Sequence, residues 1–295
     1  MSTNRSTSNL FSSGKAVAPE SRILFIDVDG TLIGHSQVLE ATTAPAIRAV
    51  QDLGHLVYLA TGRALQNVPE AVLQIGFDGA ITNGGGSVIS GDQLLFERTL
   101  SQEESTRLFD HFHKENIGHL VQTTGTSYVS PDFIQSVKEL EDHLASTGSK
   151  EQDMAVLRWV RSFPPISDID DTTMMKAVFN SLDPDVVEKT RDALGDIFHV
   201  VDGSIQTSVG TTGELGPLGI TKGSAIHQVL DHLGIDPGMS IGIGDSFNDV
   251  EMFDEVGVSV AMGNAEPELK ARADLVTTGV NDNGVRNALR LLDLF

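Results

Sequence analysis

The sequence predicts an α/β fold: a parallel sheet covered by helices, with a second α/β domain inserted into it. Three observations carry this expectation. Short apolar, β-rich runs alternate with helical patterns from Arg22 to Gly86, and the alternation returns after Thr221. Three of the runs stop abruptly at a polar residue, namely Asp27, Thr61 and Asp245. Between the two halves, from about Ser87 to Gln206, the helical patterns are longer and more charged.

Ile23-Leu24-Phe25-Ile26 reads as a buried strand entering the turn Asp27-Val28-Asp29-Gly30-Thr31. Ala44 to Leu53 has helical spacing, with Ile47, Val50 and Leu53 on one face and Gly54 as a stop. Leu56 to Ala60 is the next strand, ending at Thr61-Gly62-Arg63. A helix from about Asn67 to Gln74 leads to the strand Gly79 to Thr82, which ends at Asn83-Gly84-Gly85-Gly86. In the second half a helix opens at Thr221-Lys222-Gly223 and runs to about Leu233. The strand Ser240 to Gly244 ends at Asp245. A short helix from Val250 to Val256, a strand from Val258 to Met262, a helix from Pro267, a strand from Asp274 to Thr277 and a helix from Asn283 to Leu292 follow. In the middle, Gln102 to Glu115 and Asp132 to Leu144 read as helices, and His119 to Gln122 and Lys176 to Asn180 as strands. The Gly-rich stretch from Thr207 to Gly219 reads as a return linker. The expected organisation is a flexible tail over 1–20, a core over 21–86 and 207–295, and an insert over 87–206, in which Trp159 and Phe163 beside Pro164-Pro165 could line a pocket but are read first as packing within the insert.

The net charge of −21 argues against partners that are polyanions, so neither nucleic acid nor an anionic membrane surface is expected. There is no cysteine, which excludes disulfides, thiolate chemistry and Cys-based zinc sites and fits a cytoplasmic protein. No apolar run is long enough to span a membrane, and residues 1–20 lack the apolar segment of a signal peptide.

In an open parallel sheet, ligands bind at the carboxyl ends of the strands. Asp27, Thr61 and Asp245 therefore converge on one crevice, with Lys222 at a helix start near the same edge. Carboxylates, a hydroxyl and an ammonium together suit a metal ion and a phosphoryl group. Mg²⁺ prefers a few carboxylates, which Asp27 and Asp245 offer. A carboxylate can attack phosphorus to give an acyl phosphate. Asp29, two residues on, can give a proton to the leaving oxygen and later take one from water. Thr61 and the Gly62 N–H can bind phosphoryl oxygens, and Lys222 can neutralise further charge.

These segments, taken together and in order, resemble the motifs of the haloacid dehalogenase (HAD) superfamily. Asp27-Val28-Asp29-Gly30-Thr31 resembles the first, Thr61-Gly62-Arg63 the second, Lys222 within Gly219-Ile220-Thr221-Lys222-Gly223 the third and Gly244-Asp245-Ser246-Phe247-Asn248-Asp249 the fourth. Asn83-Gly84-Gly85, the position of the insert and Asn283-Gly284-Val285 are similar to the Cof-type branch. The resemblance covers Arg22 to Phe295. It implies a Rossmann-like parallel-sheet core with an inserted α/β cap, and a Mg²⁺-dependent phosphatase acting on a small phosphorylated metabolite. It further implies Asp27 as nucleophile and Asp29 as acid/base. Asp27, Asp245 and the Asp29 carbonyl would be metal ligands, with Asn248 and Asp249 as ligands or supports, and Thr61 and Lys222 would bind phosphate. Arg63, Asn83 and Asn248 are candidates to touch substrate. Arg63 could equally form a surface ion pair, and Asn83 could cap a turn.

Rival readings of single motifs fit less well. A calcium loop starting at Asp27 would need Gly where Leu32 stands and Glu where Val38 stands. Gly242-Ile243-Gly244 lacks the third glycine of a dinucleotide loop, since Phe247 takes that place. No Walker-type loop occurs, and the histidines show no ligand spacing. Two other functions share the same residues: a phosphotransferase or phosphomutase, and a regulatory module that accepts a phosphoryl group without turnover. Asp29 speaks against the last, because an acid two residues from the nucleophile would speed hydrolysis. A sugar phosphate is the favoured substrate class, with a phospho-aspartate as intermediate; the sequence leaves the identity of the substrate and the oligomeric state open.

Overall fold

The structure, a computed structural model, describes residues 11, 18, 20–34, 36–147, 160–203 and 210–295. The first half of the larger sheet is built from β1 (Ile23–Ile26), α1 (Thr43–Asp52), β2 (Leu56–Ala60), α2 (Glu70–Leu73), β3 (Gly79–Thr82), β4 (Ser87–Ser90) and β5 (Gln93–Glu97). The middle contains α3 (Gln102–Lys114), β6 (Gly118–Thr123), β7 (Ser127–Val129), α4 (Pro131–Thr147), β8 (Met174–Ser181), α5 (Val186–Leu194), β9 (Phe198–Asp202) and β10 (Thr211–Pro217). The chain then returns through α6 (Lys222–Leu233), β11 (Ser240–Gly244), α7 (Val250–Glu255), β12 (Val258–Ala261), α8 (Pro267–Arg272), β13 (Leu275–Val276) and α9 (Gly284–Leu291).

Among the described residues the larger sheet has the order β13-β12-β11-β1-β2-β3-β4-β5. It is parallel from β13 to β3, and the β4–β5 hairpin adds two antiparallel strands at one edge. Strand alternation buries both faces, as a parallel sheet requires. Leu24 and Ile26 point into one core with α1 and α9, whereas Ile23 and Phe25 point into the other with α6 and α7. The strand order reverses between β1 and β11, so the carboxyl ends of these neighbours open a crevice at Asp27 and Asp245.

The smaller sheet, β7-β6-β8-β10-β9, is antiparallel throughout. One face packs Val121, Ala177 and Phe179 against α3 and α5. The other face carries Gln122, which is paired in register with Lys176, and by the same alternation Glu214, Val201 and His199. That polar face borders the crevice.

Three sequence expectations are corrected here. The Thr207 to Gly219 stretch is no linker: Thr211–Pro217 is β10, paired on both sides. Its glycines serve packing, since a Cβ on Gly213 would lie 2.2 Å from the Phe179 ring. Residues 204–209 lie outside the described residues. Secondly, residues 87–97, assigned to the insert, extend the larger sheet, so the crossing into the smaller sheet comes after Glu97. Thirdly, the helix expected over Asn67 to Gln74 is a 3₁₀ turn, Leu65–Asn67, and a single α-turn, Glu70–Leu73, interrupted at Pro69, whose ring cannot donate a hydrogen bond. Most of the tail over 1–20 lies outside the described residues, but Phe11 bridges Phe77 and is buried in the core, so that residue is packed. Trp159 also lies outside them; Phe163 lines a cavity with Pro164, Gln37 and Arg63.

Candidate active site

Asp27 follows β1, and its N–H donates to the Ile243 carbonyl of β11 at 2.9 Å, which fixes the residue at the strand end. Its carboxylate is buried and accepts from Lys222 Nζ at 2.7 Å through Oδ1. Lys222 opens α6. Thr221 caps that helix by accepting from the Ser224 N–H, with Ser224 reciprocating. The lysine is fully buried and also donates to Asp249 Oδ1 at 2.6 Å and to Asn248 Oδ1 at 3.3 Å. An ammonium at a helix N-terminus is electrostatically misplaced. Here the two carboxylates account for it: burial opposes its charge, but Asp249 and Asp27 outweigh burial and hold its pKa above the ordinary lysine range.

Oxygens of Asp27, Asp245 and Asp249 lie within 4.8 Å of one another, the one such acidic group among the described residues. The three are not equivalent. Both Asp249 oxygens are taken, Oδ1 by Lys222 and Oδ2 by the N–H groups of Asp245 and Ser246 at 2.9 and 3.2 Å. Asp249 therefore shapes the turn and holds the lysine. Asp245 Oδ1, in contrast, is buried with no hydrogen-bond partner. Burial pushes Asp27 up to about 8; Lys222 pulls it down, and Asp249 and Asp29 push it up again. Burial, then the charges of Asp27 and Asp249, push Asp245 up to about 9. A crevice that disfavours its own ionised carboxylates and leaves a buried oxygen orphaned fits a bound cation, and an all-oxygen donor set suits Mg²⁺.

Two glycines make this packing possible. Gly30 has φ +80°, and a Cβ there would stand 1.9 Å from Asp245 Oδ2. Gly85 has φ +107°, and its Cβ would stand 2.2 Å from the Thr221 carbonyl. The Asn83-Gly84-Gly85 turn thus lets the start of α6 approach and deliver Lys222.

Asp29 is turned away from the acidic group. Its carboxylate accepts two hydrogen bonds from Arg63, 2.7 Å from Nε and 2.5 Å from Nη2, and its side chain is 43% exposed. Arg63 is buried and also donates to Gln37 Oε1 at 2.7 Å and the Asn67 carbonyl at 2.9 Å. The ion pair foreseen for Arg63 exists, but it is interior and its partner is the candidate acid/base. Thr61, fully buried, accepts from the Arg63 N–H at 3.1 Å. Asn83 donates across to Gln122 Oε1 of β6 at 3.3 Å. Gly62, Asn83, Lys222 and Asn248 line one cavity.

Among the residues of that cavity that the sequence reading missed are Lys176 on β8 and Glu214 on β10, both buried and paired at 2.6 Å. Lys176 was legible on a strand whose facing was not, and Glu214 lay in the stretch read as a linker.

The pattern of the haloacid dehalogenase-like hydrolases matches residues 24–289. The chain belongs to that family. It is an enzyme of the superfamily, a phosphoric monoester hydrolase. Two curated relatives from Bacillus subtilis are 5-amino-6-(5-phospho-D-ribitylamino)uracil phosphatases. YcsE is 28% identical over 271 residues, covering 91% of this chain and 94% of the relative; YwtE is 29% identical over 276 residues, covering 90% and 95%. Among solved structures, the HAD subclass IIB sugar phosphatase BT4131 superposes with a TM-score of 0.72 at 20% identity, covering 93% of this chain and all of that one. With the family established, the smaller sheet is its cap and the larger sheet its core. No helix among the described residues is long and apolar enough to cross a membrane.

Proposed function

We propose that this HAD phosphatase is a cytoplasmic, Mg²⁺-dependent enzyme that hydrolyses a small sugar phosphate through a phospho-aspartate on Asp27. The observation that carries the reading is the buried Asp27–Lys222–Asp249 cluster at the sheet's switch point, with the orphaned oxygen of Asp245 beside it. Asp27, Asp245 and the Asp29 carbonyl would hold Mg²⁺, supported by Asn248 and Asp249; when bound, the ion neutralises charge on the phosphoryl oxygens.

Lys222 fixes the Asp27 carboxylate through Oδ1, so Oδ2 is the oxygen that attacks phosphorus. The bond from phosphorus to the leaving oxygen breaks as the Asp27–phosphorus bond forms. Asp29, oriented by Arg63 and carrying a proton taken up from solvent, gives that proton to the leaving oxygen; it then takes a proton from the water whose oxygen attacks phosphorus, so the bond to Asp27 breaks, inorganic phosphate leaves and Asp29 is again protonated. Thr61 and the Gly62 N–H would receive the phosphoryl oxygens. The sugar preference is supported by the phosphorylated ribityl substrate named for YcsE and YwtE and by the name of BT4131.

The test is rapid acid quench during turnover of a sugar phosphate, followed by peptide mass spectrometry. A phosphoryl group on the Asp27 peptide is expected, with inorganic phosphate as the product. Phosphate delivered instead to a second sugar hydroxyl would make the enzyme a phosphotransferase, and a phosphoryl group on any other residue would sink the assignment.

A further inference from the structure

The cavity that holds Gly62, Lys222 and Asn248 has a roof supplied by the cap. At its centre stand Lys176 and Glu214, from strands that neighbour each other in the cap sheet, joined by a hydrogen bond of 2.6 Å. Both are buried, at 7% and 10% side-chain exposure, so the pair is no surface bridge. A Cβ built on Gly62 would lie 3.6 Å from both Lys176 Nζ and Glu214 Oε2, and one built on Gly84 would lie 3.5 Å from Lys176 Nζ. The pair therefore hangs directly over the backbone that would receive the phosphoryl group, where the rest of the substrate must emerge.

The charge around this point is informative. Beyond Lys222 and its aspartates, the ionisable cavity walls are Lys176, Glu214, Glu251 and His199. His199 of the cap bonds Glu251 of the core at 2.9 Å. Burial works to raise the Glu251 carboxyl, but the hydrogen bond from His199 holds it below its usual range, so it stands ionised. The ammonium of Lys176 thus meets one carboxylate, Glu214, while Glu251 on the same cavity wall is bonded by His199. An anionic group on the substrate, apart from the phosphoryl group itself, would approach Lys176 only beside the Glu214 carboxylate that already holds it. A neutral polyhydroxy chain meets no such opposition. One hydroxyl accepts from the ammonium, which has three donors, while its neighbour donates to the carboxylate, which only accepts. An apolar chain would offer neither charged group a hydrogen bond in exchange for the solvent it displaces.

We infer that Lys176 and Glu214 are the specificity-determining pair of the cap, reading adjacent hydroxyls of a neutral leaving group and rejecting leaving groups that are apolar or carry a second anion. This rests on the phosphatase reading above.

The test compares kcat/KM for ribitol 5-phosphate and glucose 6-phosphate with that for n-pentyl phosphate, which lacks hydroxyls, and 3-phosphoglycerate, which adds a carboxylate. With wild-type enzyme, at least one polyhydroxy substrate should exceed both others by about 10²-fold or more, since a site built for hydroxyls strongly rejects analogues lacking them. Glu214→Gln should shift the ratio of 3-phosphoglycerate to the polyhydroxy substrate upward by at least about tenfold. That variant leaves a buried ammonium unpaired. Lys176→Met/Glu214→Leu removes both charges together and decides the matter if the single variant fails to fold; it should reduce the ratio of polyhydroxy substrate to pentyl phosphate at least about tenfold. If wild-type enzyme hydrolyses pentyl phosphate or 3-phosphoglycerate as well as the polyhydroxy probes, or the double variant keeps the wild-type ratio, the pair does not read the leaving group. Turnover of none of the four by wild-type enzyme would instead remove the phosphatase reading itself.

Discussion

The crevice of the core sheet and the roof of the cap both bury charge, but they balance it differently. In the crevice one ammonium, Lys222, serves two carboxylates while a third, Asp245, keeps an unpartnered oxygen. In the roof one ammonium, Lys176, meets one carboxylate, Glu214. The crevice is short of positive charge, which supports the proposal that it holds a cation and a substrate. The roof is already satisfied and gives way only to groups that replace both halves of its pair. The lesson is that imbalance marks where chemistry happens and balance marks where selection happens.

Substitutions probe that contrast, beginning with the largest effect. Asp27→Asn should reduce turnover by on the order of 10⁴-fold or more with the fold retained, read by kcat on an aryl phosphate and by circular dichroism. Activity near wild type would remove Asp27 as nucleophile. Asp29→Asn should lower hydrolysis by about 10²–10⁴-fold, measured by steady-state kinetics with a poor leaving group. An unchanged rate would show that Asp29 only holds Arg63.

Stability separates the two regions more directly. Lys222→Met should cost about 3–5 kcal/mol in chemical denaturation, because Asp27 and Asp249 lose their common partner inside the protein. Lys176→Met/Glu214→Leu, which removes a balanced pair, should leave stability within about 2 kcal/mol of wild type. Equal losses in the two would erase the distinction. Mg²⁺ should stabilise the protein by about 2.7 kcal/mol at a hundredfold excess over Kd, followed by thermal melting, and EDTA should reverse this and abolish activity. A melting curve indifferent to Mg²⁺ would contradict the fit of the acidic group to a cation. The smallest effect on catalysis is expected of Arg63→Lys. It exchanges a two-point grip on Asp29 for a single point, and kcat should fall by about 10–10²-fold with little change in KM. A change confined to KM would return Arg63 to the role of substrate contact.

The sequence revealed the crevice far better than the roof, for a physical reason. Core residues act from the ends of buried parallel strands, and each brings its neighbours: Asp27 and Asp29 share a turn, as do Asp245 and Asp249. Apolar runs ending in a polar residue make such positions visible. Lys176 and Glu214 lie 38 positions apart and meet only because two antiparallel strands align. The Glu214 strand was also hidden by Gly213 and Gly216, which read as loop until the Phe179 ring packed over Gly213 is seen. The β4–β5 hairpin was misassigned because antiparallel pairing onto β3 leaves no mark on its own residues. Arg63 was legible as an ion-pairing residue, but its partner is 34 positions away across the crevice.

Gly30 reaches beyond this one protein. Its left-handed backbone and the Asp245 carboxylate occupying the space of any Cβ leave room for hydrogen alone. Chains that keep both aspartates of the first motif but carry another residue at this position would keep the letters of the site without its shape. They would fold into the same sheet and still fail to seat the carboxylate of Asp245 beside that of Asp27. In genome surveys, that single position should therefore sort working enzymes from catalytically silent copies, such as those retained only to bind a ligand.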